Sequence, residues 1–597
     1  MAVSSIALLI SASLAQAPKL QMSFHPANRI GSPKLQNQSV ALLPFNPPSI
    51  LTSPGRILGS TYYDYQSNGS TGNRIALDSF GGIHYCWTGS PNATLSPRHL
   101  YYGYISASGD SLPALPIPGR DQAGFSGIGL FNGASNPSLN GAAAVGYHNS
   151  LSNDDWYAVE SSRGSGNFGI DSTAFDEGTG QCIWPSFSID FNDNIQAVAT
   201  QSTTDPGALR YHIYSRRPYG SSVWTSPLIF DTTYNVSPVI VSSRVNAKSA
   251  IVWTSPIFQD SNQYDNDVMY LESVDGTSWN VAGGRVNITN YPQTVMGDTT
   301  YRAYTDVDAV YDFSGNLHII WNAAYVTRDT ADEMVVLYHS ALFHWSVASG
   351  IDLIYNHPER EWPCDMGAWN LSISKMSIGT DADSNFLYVT FTRFDPADYA
   401  YYDTTMGDLN PCGGDNAMPC GNGEIYLTWS RNGGNSWANP VNLTNSPSPN
   451  CLAGNCDSDN WSSLAEVVDN YLHIVYIDDK DAGGAAIGEG NPTLNPVIFL
   501  KIPNPTRLVG GNCQYAVGDI NNNGICNGID VVYGVSYFKG SPPPPYECNC
   551  ADHGMLYAAG DVNGSCSFNG IDITYLVNYF KGGTPISPCP DCPPGRR

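Results

Sequence analysis

The sequence predicts a mainly β protein, a β-propeller of seven blades followed by a small α-helical domain. Three observations predict it. A strand–turn–strand motif recurs along most of the chain, the composition is poor in charge and rich in turn formers and tyrosine, and a loop-plus-helix is duplicated at the carboxy terminus.

The repeat carries the main prediction. Asp78-Ser-Phe-Gly-Gly-Ile-His-Tyr-Cys-Trp87 returns as Asp312-Phe-Ser-Gly-Asn-Leu-His-Ile-Ile-Trp321 and as Asp190-Phe-Asn-Asp-Asn-Ile-Gln-Ala-Val-Ala199. Looser copies are Asp381-Ala-Asp-Ser-Asn-Phe-Leu-Tyr-Val-Thr-Phe391 and Val468-Asp-Asn-Tyr-Leu-His-Ile-Val-Tyr476. Lys248-Ser-Ala-Ile-Val-Trp253 and Gly141-Ala-Ala-Ala-Val-Gly-Tyr147 complete the set. Gly and Asn tolerate positive φ, so they suit a tight hairpin turn. The apolar run that follows suits a strand buried on both faces. The copies recur every fifty to eighty-five residues, roughly one four-stranded blade with its loops. Residues 56–505 therefore read as a propeller, with a stacked array of β-sandwiches as the structural alternative.

Composition narrows the function. Charged residues make up only 13% of the 597 residues against 42% hydrophobic, enough apolar material for a large core and too little charge for a disordered chain. A formal net charge of −26 repels nucleic acid and anionic membranes. No stretch reaches the length of a membrane span. At the amino terminus, the apolar run Ile6–Ile10 and Ala15-Gln16-Ala17 resemble the core and cleavage site of a bacterial signal peptide, though no Lys or Arg precedes them. Residues 1–17 are read as that signal, and localisation as secreted or cell-surface. Residues 18–55, rich in Pro, Ser, Asn and Gln, read as an extended arm able to lie on its own propeller or on a neighbour by strand addition.

All fourteen cysteines follow the cleavage site, and an even count in an exported chain suggests disulfides. Cys412/Cys420 and Cys451/Cys456 are spaced to close short surface loops. Seven cysteines lie before residue 506 and seven after, so either a bridge joins the two regions or each keeps a free thiol. Cys548-Asn-Cys550 and Cys589-Pro-Asp-Cys592 leave zinc as an alternative, without a second pair at zinc-ribbon spacing.

Two short motifs add a resemblance. Ser430-Arg-Asn-Gly-Gly-Asn-Ser-Trp437 resembles the Asp-box of sialidase-like propellers, and Ser273-Val-Asp-Gly-Thr-Ser-Trp279 is a shorter variant. The resemblance implies a turn between outer strands of a blade, with its Trp packed between blades. It marks architecture and not catalysis. Sialoside hydrolysis needs an arginine cluster, a Tyr activated by a Glu, and an acid/base Asp. The nearest candidates for the family's first arginine are Arg56 and Arg74, and neither is followed by the family's Ile-Pro. No catalytic residue is assigned. His84, His318 and His473 share one repeat position, which reads as a turn-closing role and not as a joint metal set. Tyr62, Tyr63 and Tyr65, with Tyr399, Tyr401 and Tyr402, offer either a glycan-stacking surface or simple strand propensity.

Residues 519–530 and 561–572 fit a twelve-residue calcium loop that presents oxygens at positions 1, 3, 5, 7, 9 and 12. The first set is Asp519, Asn521, Asn523, the Ile525 carbonyl, Asn527 and Asp530. The second is Asp561, Asn563, Ser565, the Ser567 carbonyl, Asn569 and Asp572. Each loop runs into an apolar stretch at helical spacing that ends on Gly540 or Gly582. A calcium loop leading into one helix, twice over, resembles the type I dockerin module, an EF-hand-type domain. The resemblance covers residues 519–582 and implies Ca2+ and a cohesin-like partner. Cys566 stands where a Gly normally makes the sharp turn, and loop positions 10 and 11 are Gly-Ile in both copies instead of the usual polar pair. Residues 506–597 are assigned to this domain.

These readings converge on a non-catalytic extracellular structural or adhesive protein, calcium-binding, a subunit of a surface assembly or filament that self-associates or engages a cohesin-like protein. The alternative is a secreted glycan-binding or glycoside-hydrolase propeller docked to a complex through its dockerin-like domain.

Overall fold

The structure is a computed structural model. It describes residues 53–67, 69–70, 72–117, 122–149, 154–172, 175, 181–203, 208–236, 238–256, 266–292, 299–328, 334–357, 362–367, 369–401, 412, 418–506, 515–541, 543–544, 547–550, 554–589, 592 and 594. The signal-like segment and nearly all of the arm lie outside the described residues, as does Tyr402. The chain divides into two compact units, one of Met1–Val468 with His473–Lys501 and one of Asp469–Leu472 with Ile502–Arg597.

The first unit is a β-propeller built of antiparallel strand groups. Group 1 holds Ile75–Leu77, Ile83–Gly89, His99–Ile105 and Ser111–Pro116; group 2 holds Ala123–Leu130, Ala143–Asn149, Asp154–Glu160 and Phe168–Ser172. Group 3 holds Cys182–Ile189, Ile195–Gln201, Arg210–Arg217 and Leu228–Thr233. Groups 4 (Val239–Ser242, Ser249–Pro256, Asn266–Ser273, Arg285–Asn287) and 5 (Thr299–Tyr311, Leu317–Arg328, Met334–Ser346, Gly350–Asn356) form one eight-stranded sheet, joined at the single pair Asn266↔Ala303. Group 6 (Ile373–Asp381, Leu387–Tyr399, Gly421–Ser430, Val441–Asn442) gains Val467–Val468 as a parallel fifth strand. Group 7 takes Ser458–Leu464, Tyr471–Asp479 and Asn495–Pro503, and its outer strand is Arg56–Thr61 from the start of the chain. First strands pack on one another from group to group, and that of group 7 returns to that of group 1, so the ring is closed.

Each copy of the sequence repeat lies on or runs into the second strand of a group, and those strands are the most buried of the molecule. The turn before the strand explains the Asp that opens several of the copies. In group 1, Asp78 Oδ1 accepts the N–H groups of Phe80 and Gly82, both at 2.8 Å. Asp190 Oδ1 accepts Asn192 and Asn194 N–H in the same way, and Asp312 Oδ1 accepts Ser314 and Asn316 N–H. A carboxylate that saturates the amides of a tight turn fixes the hairpin before any tertiary packing.

The Asp-box turns form as the resemblance implied. Asn432 Oδ1 accepts Ser436 N–H (2.9 Å), and Trp437 of group 6 packs edge-on against His344 of group 5 (5.4 Å). Asp275 Oδ1 accepts Thr277 and Ser278 N–H, and Trp279 lies 4.9 Å from the Tyr214 ring of the preceding group.

The second unit carries two helices, α1 (Gly528–Phe538) and α2 (Gly570–Phe580). Asn527 and Asn569 cap them with complete capping boxes, whose return donor-acceptor arm is Asp530 or Asp572. Gly540 (φ 93°) and Gly582 (φ 83°) follow each helix in the left-handed region, a normal helix stop. The helices pack on one another around Ile520, Val562, Ile573 and Leu576. A Cβ at Gly534 would lie 2.3 Å from Ile573 Cδ1, so any larger residue would have to push the end of that side chain aside.

Candidate functional site

Two places concentrate chemistry-bearing groups: the inner end of the propeller strands, and the loops that precede α1 and α2. At the first, a four-residue step recurs on the first strands, seen in Phe125-Ser126-Gly127-Ile128, Trp184-Pro185-Ser186-Phe187, Lys375-Met376-Ser377-Ile378 and Trp461-Ser462-Ser463-Leu464. The leading residue is a β-bulge with positive φ: Phe125 55°, Trp184 57°, Lys375 51° and Trp461 59°. For bulky side chains this costs about 1–2 kcal/mol each.

The third residue of the step locks neighbouring groups together. Ile240 N–H donates to Ser186 Oγ (3.3 Å), Ile378 N–H to Asp308 Oδ2 (2.9 Å), Leu464 N–H to Ser377 Oγ (3.2 Å) and Arg74 N–H to Ser463 Oγ (3.0 Å). Ile128 N–H donates to the Asn73 carbonyl oxygen (2.6 Å). In every case the fourth residue of one group gives its N–H to the third residue of the preceding group. At the remaining two junctions the third residue is Gly127 or Val239, which carries no acceptor side chain. Five of the seven junctions are therefore held by such a bond. The axial cavity bordered by Asn73, Gly127, Ser186, Val239 and Asp308 leaves about 50 Å³, room for a few waters and not for a sugar ring.

The segment that follows the closing strand fills the mouth above this cavity. Tyr63 and Tyr65 are buried, and Tyr65 meets Trp461 (5.2 Å) and Phe125 (6.1 Å) edge-on. Of the tyrosines that sequence left open between a glycan-stacking surface and strand propensity, Tyr63 and Tyr65 are core, Tyr62 and Tyr399 are half-buried and Tyr401 is exposed. Lys375, fully buried, lies 3.5 Å from Asp306 Oδ1 and over the Trp461 ring. Burial lowers its ammonium pKa, with Asp306 opposing.

Four arginines are each engaged locally. Arg74 is buried and donates to the Trp461 carbonyl, Arg98 to the Ala123 carbonyl (2.8 Å), and Arg302 to the Pro292 carbonyl (2.6 Å). Arg56 is exposed and donates to Ser111 Oγ (3.1 Å). The histidines of the repeat stay within their own groups. His84 faces Asp78 (3.4 Å) and Tyr102 OH (2.7 Å), His318 faces Asp312 (3.6 Å) and His344 (3.0 Å), and His473 stacks on Phe499. Gln196 fills the same place in group 3 and donates to Asp190 Oδ2 (2.5 Å). For His84, His318 and Gln196 these are turn-closing contacts.

In the carboxy-terminal loops the carboxylates of positions 1 and 12 fold onto backbone amides in both copies. Asp519 accepts Asn523 N–H on Oδ1 (3.0 Å) and Gly524 N–H on Oδ2 (2.8 Å); Asp561 accepts Ser565 (3.1 Å) and Cys566 (2.9 Å) N–H. Asp530 reaches back to Asn521 N–H (3.1 Å) and Asn527 N–H (2.8 Å), and Asp572 to Val562 N–H (3.2 Å) and Asn569 N–H (2.9 Å). Asn521 and Asn563 add their amide oxygens, which accept Asn523 and Ser565 N–H. All four carboxylates are at most 2% exposed, and none has an ion pair among the described residues. Burial raises the Asp572 carboxyl. Cys566 takes the sharp turn at φ 57°, where Gly524 sits at 88°. A non-glycine residue can therefore hold that corner here, and the Cys566–Cys589 disulfide fixes it there.

Cys412–Cys420 and Cys451–Cys456 are bridged as expected, together with Cys550–Cys592 and Cys566–Cys589; Cys548 is also disulfide-bonded. Both cysteine pairs proposed for zinc are spent in disulfides, so that alternative falls. Cys86, Cys182 and Cys364, buried in the propeller, and Cys526, in the carboxy-terminal unit, form no disulfide.

No family model matches this chain, and no curated protein matches it. Solved structures do. An ulvan-type polysaccharide lyase bound to -[GlcA(1-4)Rha3S]- aligns at 10% identity and TM-score 0.43, over 74% of this chain and 96% of that one. The α-L-arabinanase of Penicillium chrysogenum, complexed with arabinobiose, aligns at 9% identity and TM-score 0.35 over 62% and 92%. The β-propeller domain of the trilobed protease of Pyrococcus furiosus aligns at 9% identity and TM-score 0.34 over 74% and 95%. At these scores no activity passes from those proteins to this chain.

Proposed function

We propose that this chain is a non-catalytic extracellular scaffold, a seven-bladed propeller carrying a calcium-ordered, dockerin-like module at residues 506–597. The count of seven takes the eight-stranded sheet as two blades. The observation that supports the calcium reading is the loop geometry. Each loop buries two carboxylates against backbone amides alone, and a buried carboxylate without a countercharge is costly. Oxygens of the Asp, Asn, Ser and carbonyl type suit a hard cation. Asp519, Asn521, Asn523, Ile525, Asn527 and Asp530 would hold one Ca2+, and Asp561, Asn563, Ser565, Ser567, Asn569 and Asp572 the other. Two carboxylates per loop favour affinities in the extracellular range, about 10⁻⁴–10⁻³ M.

A structural role is favoured by how the propeller spends its polar groups. The axial serines and Asp308 lock blades, the arginines cap carbonyls, and Tyr63 and Tyr65 fill the mouth. The helices also present apolar surface to a partner. Ile529, Val532 and Ile571, at the start of α1 and α2, are 61%, 65% and 67% exposed. An apolar helix face of this kind suits another protein, a cohesin-like domain or a second copy of the chain, better than a glycan.

Calorimetric titration of chelator-treated protein with CaCl₂ tests the reading. Loss of two bound calcium ions per chain in the Asp530→Ala/Asp572→Ala variant supports it. Equal calcium uptake by wild type and variant would remove the module from consideration.

A further inference from the structure

The last strand group of the propeller holds an acidic interior that neither the ring nor the loops explain. Asp459 and Asp478 are cross-strand partners in the antiparallel pair formed by Ser458–Leu464 and Tyr471–Asp479, so their side chains share one face. Asp459 is 0% and Asp478 3% exposed. One oxygen of each is accounted for. Asp459 Oδ2 accepts from Ser446 Oγ (2.7 Å), and Asp478 Oδ2 pairs with Lys480 Nζ. The other oxygen of each, Oδ1, is buried and has no partner.

A buried hydroxyl joins them. Ser53 Oγ lies against both Asp459 and Asp478 and lowers both carboxyls as a hydrogen-bond donor would, without reaching good hydrogen-bond geometry to either. Two carboxylate oxygens and one hydroxyl thus share a single neighbourhood. The surrounding charge is lopsided. Glu424 is also buried, its oxygens taken by Ser446 N–H (2.8 Å) and Thr444 Oγ1, and Asp457 shares the Lys480 ammonium with Asp478. Four carboxylates face a single ammonium. Burial, then the charges of Asp478 and Glu424, drives the Asp459 carboxyl well above its usual range, while burial raises Asp478 to about 6 against the pull of Lys480.

We propose that Asp459, Asp478 and Ser53 form a site for a hard divalent cation of the calcium class. All three donors are oxygens, which excludes the soft-metal preference of thiolate or imidazole sites, and water would complete the shell. The position gives the ion a role. Ser53 and Pro54 lead into the strand Arg56–Thr61 that closes the ring, and Tyr476 OH donates to the Pro54 carbonyl (2.5 Å). A cation here ties the entry of the closing strand to the strands it closes upon. The rival occupant is a proton shared between the two carboxylates.

The test uses the full-length chain with Asp530→Ala and Asp572→Ala, so that the carboxy-terminal loops are silent. Calorimetry with CaCl₂ at pH 7.5, after removal of chelator, should show one calcium per chain, and calcium should raise the melting temperature of the propeller. Adding Asp459→Asn and Asp478→Asn should weaken that binding at least tenfold. Where this variant does not fold, Ser53→Ala, which removes only the hydroxyl, should weaken calcium binding several-fold. A loop-silenced chain without a calcium response overturns the site. So does calcium affinity unchanged by Asp459→Asn/Asp478→Asn, or unchanged by Ser53→Ala. A shared proton would appear as Asp459→Asn stabilising the chain near neutral pH with no calcium response, which also overturns it. Failure of the loops reads differently: wild type would then bind one calcium, and Asp459→Asn/Asp478→Asn would abolish it.

Discussion

The aspartates of the blade hairpins and those of the carboxy-terminal loops open similar Asp-x-Asn or Asp-x-x-Gly turns, yet they end in opposite electrostatic states. Asp190 and Asp312 give one oxygen to two backbone amides and the other to a side chain at a fixed place in the following strand, Gln196 or His318. Asp519 and Asp561 spend both oxygens on amides, and each loop then returns a second buried carboxylate, Asp530 or Asp572. A turn carboxylate balanced by a side-chain donor is complete in itself. Two carboxylates folded into twelve residues with amides alone leave a charge for something else to answer.

The hardest test of this contrast is to remove a hairpin carboxylate. Asp190→Ala deletes acceptors for Asn192, Asn194 and Gln196 and strands buried donors. The loss should be about 3 kcal/mol in urea unfolding, the same with calcium or with chelator. A loss below about 1 kcal/mol, or one that changes with calcium, would erase the distinction between the two kinds of aspartate.

The loop variant behaves in the opposite sense. With calcium a hundredfold above its dissociation constant, two-state linkage gives the wild-type module about 2.7 kcal/mol per site that Asp530→Ala/Asp572→Ala cannot gain. In chelator the two chains should differ only by the lost capping boxes, about 1 kcal/mol per helix. Differential scanning calorimetry of both chains in both buffers checks this. A gap that stays the same in chelator and in calcium counts against a metal.

The hairpins, the helices and the twelve-residue loops were legible because local chemistry sets them: turn amides call for Asp, Asn and Gly at fixed offsets, and helix ends call for Asn and Gly. The axial step was missed, although a signal existed. Trp184, Asp306 and Lys375 each stand six residues before the turn aspartates Asp190, Asp312 and Asp381, and a Ser or Asp follows two residues later. Bulky residues at positive φ are improbable on local grounds, and only the neighbouring strand's N–H rewards them, so nothing within one repeat announces the bulge. The filling of the axial mouth by Tyr63 and Tyr65 was equally hidden. Whether a tyrosine is surface or plug depends on where the closing strand delivers it. The acidic pair Asp459/Asp478 joins residues nineteen apart that meet only through strand register.

Proton titration separates the two kinds of carboxylate inside the propeller as well. Burial lifts Asp64 and Asp308 to about 7. A raised folded pKa stabilises below the unfolded value and loses that contribution as pH rises through the folded one. In chelator, stability should therefore fall between about pH 5 and pH 8, by on the order of 2 kcal/mol. Asp308→Asn keeps an acceptor for Ile378 N–H and should flatten part of this slope. Burial also acts on Asp312, but His318 and Asn316 more than offset it and hold that carboxyl at about 2. Its contribution is present above the unfolded pKa and disappears only as pH falls from about 4 towards 2. A profile flat from pH 5 to 8 in chelator would contradict the raised pair.

The mildest change probes the repeat position itself. His318 and Gln196 occupy equivalent places, each facing the second oxygen of its turn aspartate. Gln196 donates from Nε2 and needs no protonation to do so. If the position asks only for a neutral donor, His318→Gln should cost less than about 1 kcal/mol, the part not recovered being the contact with His344 at 3.0 Å. A loss of several kcal/mol, or loss of calcium binding, would mean that the histidine does more than close its turn, and the structural reading of all three repeat histidines would have to be given up.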